Sequence, residues 1–267
     1  MYRLMPFSGR TLAAALSAAA IAIAAHPAAA QSAAHPISAN SPAGCAAGET
    51  TLAVGDARLA SFTPFPADTV DIVMERAGTT LNGLSTQHAV RSRHNGRDAW
   101  LLVQWSQTPR GVSLDSIWAD ARTWAPLRHV STYPGGSANV TYAGGRVTGT
   151  VTSGDTARAV DQALGAGIFD LSTSPDAMGA VELCPGAVVH VSSYDPAIGM
   201  RDSDFRFIGN ESVEIGGRQY AAFAAEVKTG PRTVRLYIDP ATHHVFAWRA
   251  EGQGMSMRGT SRFLPGR

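Results

Sequence analysis

From Asp68 onward the chain is cut into short pieces. Runs of five to nine residues rich in Val, Ile, Thr, Tyr and Trp are separated by Gly, Asn, Asp and Pro. Segments this short cannot supply helices of ordinary length, so the rhythm restricts the fold to strands joined by tight turns. Asp68 to Arg76 alternates Val70 with Ile72 or Val73, and Asn95-Gly96 is a hairpin signal. In the run Ala99 to Gln107 that follows, Ala99, Leu101, Val103 and Trp105 share one face of a strand. Val112, Leu114 and Trp118 mark the next strand, which turns at Asp120. Trp124 to Thr132, Ala138 to Ala143 and Arg146 to Thr152 continue the meander, with Gly144-Gly145 as a turn.

The pattern then changes. Asp155 to Phe169 places Ala157, Val160 and Leu164 at helical spacing, and Ser174-Pro175-Asp176 has the hydroxyl, proline and acid of a helix start. Cys184-Pro185-Gly186 ends that second helix. Strands are expected again over 187–194, 204–208, 211–215, 219–229, 233–239 and 244–251.

The two β stretches look like copies. Asn95-Gly96-Arg97 is echoed by Gly216-Gly217-Arg218, Pro109-Arg110 by Pro231-Arg232, and Asp120-Ala121-Arg122-Thr123 by Asp239-Pro240-Ala241-Thr242. The expected fold is mainly β: one curved antiparallel sheet, a half-barrel, made of two meander repeats over about 68–153 and 187–260. A two-helix insert over 155–184 lies on its concave side. Residues 49–267 then form a single β-rich domain.

Ahead of it, Arg3 and Arg10 flank a basic start, Thr11 to Ala25 is an apolar run, and Ala28-Ala29-Ala30 supplies small residues, the three parts of a secretory signal. Cleavage is expected near Ala30, followed by a flexible leader over 31–48 too poor in large apolar residues to fold on its own. The protein is therefore expected in the periplasm or fully secreted. Losing Arg3 and Arg10 takes the formal charge from +1 to −1, and this overall balance implies no nucleic-acid or anionic-membrane partner. Nothing after residue 30 is apolar for long enough to span a bilayer as a helix. Cys45 and Cys184 are the only cysteines, and in an oxidising compartment a pair is expected to form a disulfide.

Phe169-Asp170-Leu171-Ser172, Leu183-Cys184-Pro185-Gly186, Gly209-Asn210-Glu211-Ser212-Val213, Gly216-Gly217, Tyr220-Ala221-Ala222, Tyr237-Ile238-Asp239 and Arg249 follow one another in an order that resembles a DUF3108-like family of exported bacterial domains. That resemblance implies a sheet similar to the lipoprotein carriers LolA and LolB. It implies no catalytic residue.

The search for chemistry finds little. Gly135-Gly136-Ser137-Ala138-Asn139 fails as a nucleophile elbow, and no zinc-protease, phosphate-loop or dinucleotide motif occurs. Asp239, His243 and His244 form the densest titratable group, but neighbouring residues on a strand face opposite ways, so no metal site is expected, and no cofactor. The aromatics are more suggestive. Trp105, Trp118, Phe223, Phe246 and Trp248 fall on apolar parities and are the candidate ligand-binding residues. If they line an open concavity, the protein is a carrier-like binder of a lipid, acyl chain or lipoprotein, without catalysis. If helices fill the concavity, it is an envelope structural or interaction module with an envelope protein as partner. A hydrolase with a site near Asp239, His243 and His244 is the third reading.

Overall fold

The computed structural model describes residues 45, 47–109, 111–229, 232–252 and 255–266. The expected signal segment, the leader apart from residues 45, 47 and 48, and parts of both Pro-Arg turns (Arg110 and Pro231) lie outside the described residues. In chain order the strands are β1 (Glu49–Thr51), β2 (Ala67–Arg76), β3 (Thr79–His94), β4 (Arg97–Thr108), β5 (Gly111–Asp120), β6 (Pro126–Tyr133), β7 (Gly136–Ala143), β8 (Arg146–Ser153) and β9 (Thr156–Ala163). There follow β10 (Phe169–Asp170), β11 (Val188–Asp195), β12 (Gly199–Ile215), β13 (Arg218–Thr229), β14 (Arg232–Ile238), β15 (Val245–Gly252) and β16 (Met255–Ser261). One short helix, α1 (Ser174–Ala177), runs on as a 3₁₀ turn to Ala180, and another 3₁₀ turn covers Ala57–Ala60.

All strands join one curved sheet that does not close. β2 to β9 make one antiparallel meander and β11 to β16 a second, and the two are sewn together by antiparallel pairing of β2 with β16. Among the described residues only β1 and β10 pair in parallel, both along β11. Asn95 (φ 50°) and Gly96 (φ 79°) take the left-handed conformation that a two-residue hairpin turn demands.

The expected first insert helix is a strand. Over β9 only Val160 is buried, and every residue from Thr156 to Ala163 pairs with β8 across the Gly154-Asp155 turn. The helical spacing of Ala157, Val160 and Leu164 is incidental, because an edge strand with a solvated face needs no apolar alternation. The second insert helix is present but only one turn long, with Thr173 rather than Ser174 at its cap position. β3, sixteen residues long, was not apparent in the sequence because its residues are mostly polar.

One face of the sheet is covered by two straps. The first, residues 45–62, carries Leu52, Leu59 and Phe62; the second, residues 169–187, carries Phe169, Ala177, Met178, Val181 and Leu183. They pack on Trp100 and Leu102 of β4, Phe205 and Phe207 of β12, and Phe223 and Ala225 of β13. Burying a side chain of this size stabilises the fold by about 1.5–3 kcal/mol. The Cys45–Cys184 disulfide ties the straps together.

Candidate functional site

Two turns, one in each half of the sheet, hold the straps. Asp120 accepts from the Arg122 and Thr123 amides (3.0 and 2.9 Å) and from Thr123 Oγ1 (2.9 Å). Asp239 accepts from the Ala241 amide (3.0 Å) and Thr242 Oγ1 (2.8 Å). Each turn follows a register shift in its strand pair, at Trp118/Ala119 and at Tyr237/Ile238. The first delivers Trp124, fully buried, to within 5.4 Å of the Phe62 ring in the first strap. The second delivers His243, whose Nδ1 lies 2.9 Å from the Gly179 carbonyl oxygen in the second strap. The straps meet each other where Phe62 lies against Gly179. A Cβ at Gly179 would come within 2.6 Å of Phe62 Cζ, so a hydrogen there is what allows the contact.

Beneath this contact lie two indoles with a shared peculiarity. Trp100 and Trp124 belong to the same core cluster, are 4% and 0% exposed, and neither Nε1 has a hydrogen-bond partner. A buried donor left without an acceptor costs about 1–3 kcal/mol, and native interiors hold few of them. Arg91 of β3 stands opposite Trp100 in the ladder, with its guanidinium carbon 4.0 Å from the centre of the Trp100 ring. The covered face therefore combines apolar walls, two unmet N–H donors and, where it reaches solvent, a cation.

The five aromatics marked in the sequence do not share one face. Phe223 lies in the covered core, and Trp248 lies opposite Leu236 on the same side, where its indole packs over Gly259. Trp105 and Trp118 point to the other side, half-buried, because β4 turns Trp100 and Leu102 inward. Phe246 belongs to a separate cluster with Val213, Tyr237 and Ala247. Both parities of β4 are apolar, so period-two patterning could not say which one faces the core. Trp100 was passed over for that reason, Arg91 because β3 itself was not read as a strand, and Trp124 because it alternates with Pro126 and Arg128 and could as well lie at an edge. The repeated Asp-x-x-Thr turn was the available clue to Trp124.

No family model matches the chain, and neither does any curated protein. Among solved structures it is similar to the hypothetical lipoprotein YmcC of Escherichia coli K12, at 12% identity over 80% of this chain and 91% of that one, with a TM-score of 0.28. It is also similar to the lipoprotein LppX of Mycobacterium tuberculosis (9% identity, 75% and 87% covered, TM-score 0.22). A DUF1329 family protein of Desulfovibrio piger gives 9% identity, 74% and 83% covered, and a TM-score of 0.26. Likenesses this remote carry no argument about activity or ligand.

Two polar clusters flank the covered core. In the first, His129 of β6 is buried between two carboxylates, with Nδ1 2.8 Å from Asp170 Oδ2 and Nε2 3.2 Å from Asp115 Oδ1. Tyr142 donates its hydroxyl to the same Asp170 oxygen (2.7 Å) and the Ser172 amide donates to the other (3.0 Å). Burial works against a charged imidazole, but Asp170 and Asp115 outweigh it and raise the His129 pKa to about 10. Burial would likewise raise Asp170, yet His129, Tyr142 and the Ser172 amide hold it below the usual carboxylate range. This cluster joins β6 and β7 of the first meander to β10, which pairs with β11 of the second, in a sheet whose backbone ladder stays open.

In the second cluster, Ser261 donates to Asp68 Oδ1 (2.6 Å), and His244 Nε2 lies 3.2 Å from both Asp68 Oδ2 and Ser261 Oγ. Phe65 stacks on the His244 ring at 3.9 Å. Asp239, His243 and His244 therefore do not converge: the aspartate organises its own turn, His243 reaches the strap, and His244 ties β15 to β2 and β16. The Ser261 hydroxyl points at a carboxylate, so the imidazole is not placed to activate it. Nearby, Gln87 donates to Asp176 (2.8 Å), whose pKa burial pushes up to about 6. Among the described residues no helix is long and apolar enough to cross a membrane.

Proposed function

We propose that the chain is an exported binding protein of the cell envelope. It takes an amphiphile with an acyl body and an acceptor-bearing head on the covered face of its sheet, under the two straps. The observation that carries this reading is the pair of buried indole N–H groups of Trp100 and Trp124 without acceptors. A carboxylate, phosphate or ester oxygen beneath the strap would satisfy them, Arg91 would neutralise an anionic head, and the surrounding Leu, Val and Phe side chains would take the chain. Export is supported by the signal-like N-terminus and the disulfide. The sequence resemblance to DUF3108-like domains points the same way. The straps fill the face in the present conformation, so binding requires them to move aside, and the single-turn helix makes the second strap the weaker cover.

Native mass spectrometry of residues 31–267 produced in a periplasm tests this. A non-covalent adduct in the mass range of a fatty acid or phospholipid is expected, and it should be retained less well by Trp100→Phe and Trp124→Phe. Folded protein that stays bare after incubation with both lipid classes would refute it. The filled core also favours a second reading, an envelope interaction module that works through its outer surfaces and has an envelope protein as partner. A bare mass with specific crosslinks to one such protein would support that reading.

A further inference from the structure

The side of β3 to β6 that faces away from the straps is unusually apolar for a sheet surface on which nothing among the described residues packs. By register, Val90, Leu101, Trp118 and Arg128 form one row across the four strands, His88, Val103, Ser116 and Val130 the next, and Thr86, Trp105, Leu114 and Thr132 the third. Val90 and Val112 are each 49% exposed and Leu114 41%, while Trp105 and Trp118 are half-buried. With strands about 4.8 Å apart and about 3.4 Å per residue, the stripe measures roughly 15 by 20 Å. Antiparallel sheets that face water normally alternate polar residues there, and a patch of this kind marks a contact surface.

The geometry points to an anionic lipid surface as the occupant of this stripe. Three observations select it. First, the rim is basic. Arg97 and Arg128 share the outer parity with His88 and His94, whereas the only carboxylate of β3 to β6 on that parity is Asp120, which is engaged by its own turn. Second, all four strands have their backbone groups paired in the ladder, so the stripe offers an incoming peptide no main-chain partners; a fluid hydrocarbon boundary demands none. Third, Trp118 lies between the Arg128 guanidinium, 5.8 Å from its ring centre, and the His94 ring at 5.7 Å, an aromatic beside a guanidinium of the kind that sits at headgroup depth. A second copy of the chain fits less well, because face-to-face pairing would bring two basic rims together. This surface lies on the opposite side of the sheet from the proposed ligand face and does not depend on it.

Sedimentation of residues 31–267 with phosphatidylcholine vesicles, alone or with phosphatidylglycerol, provides the test. The wild-type chain is expected to pellet with the anionic vesicles, with tryptophan emission shifted to the blue, and to be released by salt. Trp105→Ser combined with Leu114→Ser should weaken partitioning roughly tenfold or more. Arg97→Glu with Arg128→Glu should abolish the preference for phosphatidylglycerol. These side chains lie outside the core, and circular dichroism of each variant establishes that it is folded. Wild-type protein that stays in the supernatant with both vesicle types overturns the proposal, as does equal binding by the folded Trp105→Ser/Leu114→Ser variant. A concentration-dependent dimer that this variant loses, without vesicle binding, would reassign the stripe to self-association. Ligand uptake measured on the Trp105→Ser/Leu114→Ser variant keeps the two proposals separate, since both of those side chains lie on the side of the sheet away from the straps.

Discussion

Trp124 and His243 each stand four residues after the aspartate of an Asp-x-x-Thr turn, each with a positive φ, 61° and 56°, and each against a strap. Left-handed backbone is unfavourable for residues with a Cβ, and here it is held in both halves by the same aspartate-centred hydrogen bonds. The register shift just before each turn swings the residue out of the strand plane and under the strap. The first half uses the position for a large indole and the second for an imidazole that holds a carbonyl.

Truncating the indole should therefore cost more than removing its N–H. Trp124→Ala is expected to destabilise by about 3–5 kcal/mol, as large-to-small changes in a packed core do. Trp124→Phe should cost much less, because it removes a donor that has no acceptor. Urea denaturation of both variants checks this, and equal losses would contradict it.

Gly179→Ala places a methyl group against the Phe62 ring edge. The expected result is a protein with the global sheet intact and the straps loosened. Hydrogen exchange should rise over 52–62 and 174–187 and stay unchanged in β12 and β13. Uniform protection would show that the straps can yield without separating.

The clasp at His129 has a defined pH signature. His129 has its pKa raised from 6.5 to about 10, so its contribution to stability is complete below about 6.5 and fades as pH rises through 10. Asp170 is depressed below 3.8, so its contribution is complete above that value and is lost as pH falls through the lowered one. Both are fully present between 3.8 and 6.5. Thermal melts of the wild type should decline on the alkaline side of this window, and His129→Asn should be less stable and lose that slope.

Asp176 acts with the opposite sign. Burial raises it from 3.8 to about 6, so ionisation weakens the fold as pH climbs through that interval. Asp176→Asn keeps an acceptor for Gln87 and removes the charge beside Asp68. It should raise the melting temperature at pH 7 and leave it unchanged at pH 3.5.

The disulfide closes a loop of 139 residues. In the chain-entropy account, a loop of this length stabilises by about 4–5 kcal/mol, with strain lowering the figure in practice. Cys45→Ser with Cys184→Ser should lower the melting temperature and speed exchange of a bound acyl probe. Faster exchange without destabilisation would place the effect wholly in the straps.

Hairpin turns were readable because their chemistry is local: Asn95-Gly96 and Gly216-Gly217 can do little else. The matching Asp-x-x-Thr turns were readable for the same reason, through their Asp and Thr residues. β9 was misread because Ala, Gln and Arg suit a helix in isolation, while pairing with β8 decided the outcome. The direction of Trp100 and Trp105 depends on where residues 45–62 and 169–187 fold back, a long-range fact that no strand contains in its own alternation. The His129 cluster was invisible as well, because Asp115, His129 and Asp170 are drawn from three separate elements.

The pairing of β2 with β16 has a consequence in time. Arg262 and Asp71 hydrogen-bond across 191 positions of sequence, and the ladder beside them joins the opening strand of the first meander to the closing strand of the second. Each meander can zip hairpin by hairpin as it emerges, but the ladder between them waits for β16. Contacts this distant slow folding. A chain so arranged forms its two meanders first and completes the ladder between them only when β16 is in place.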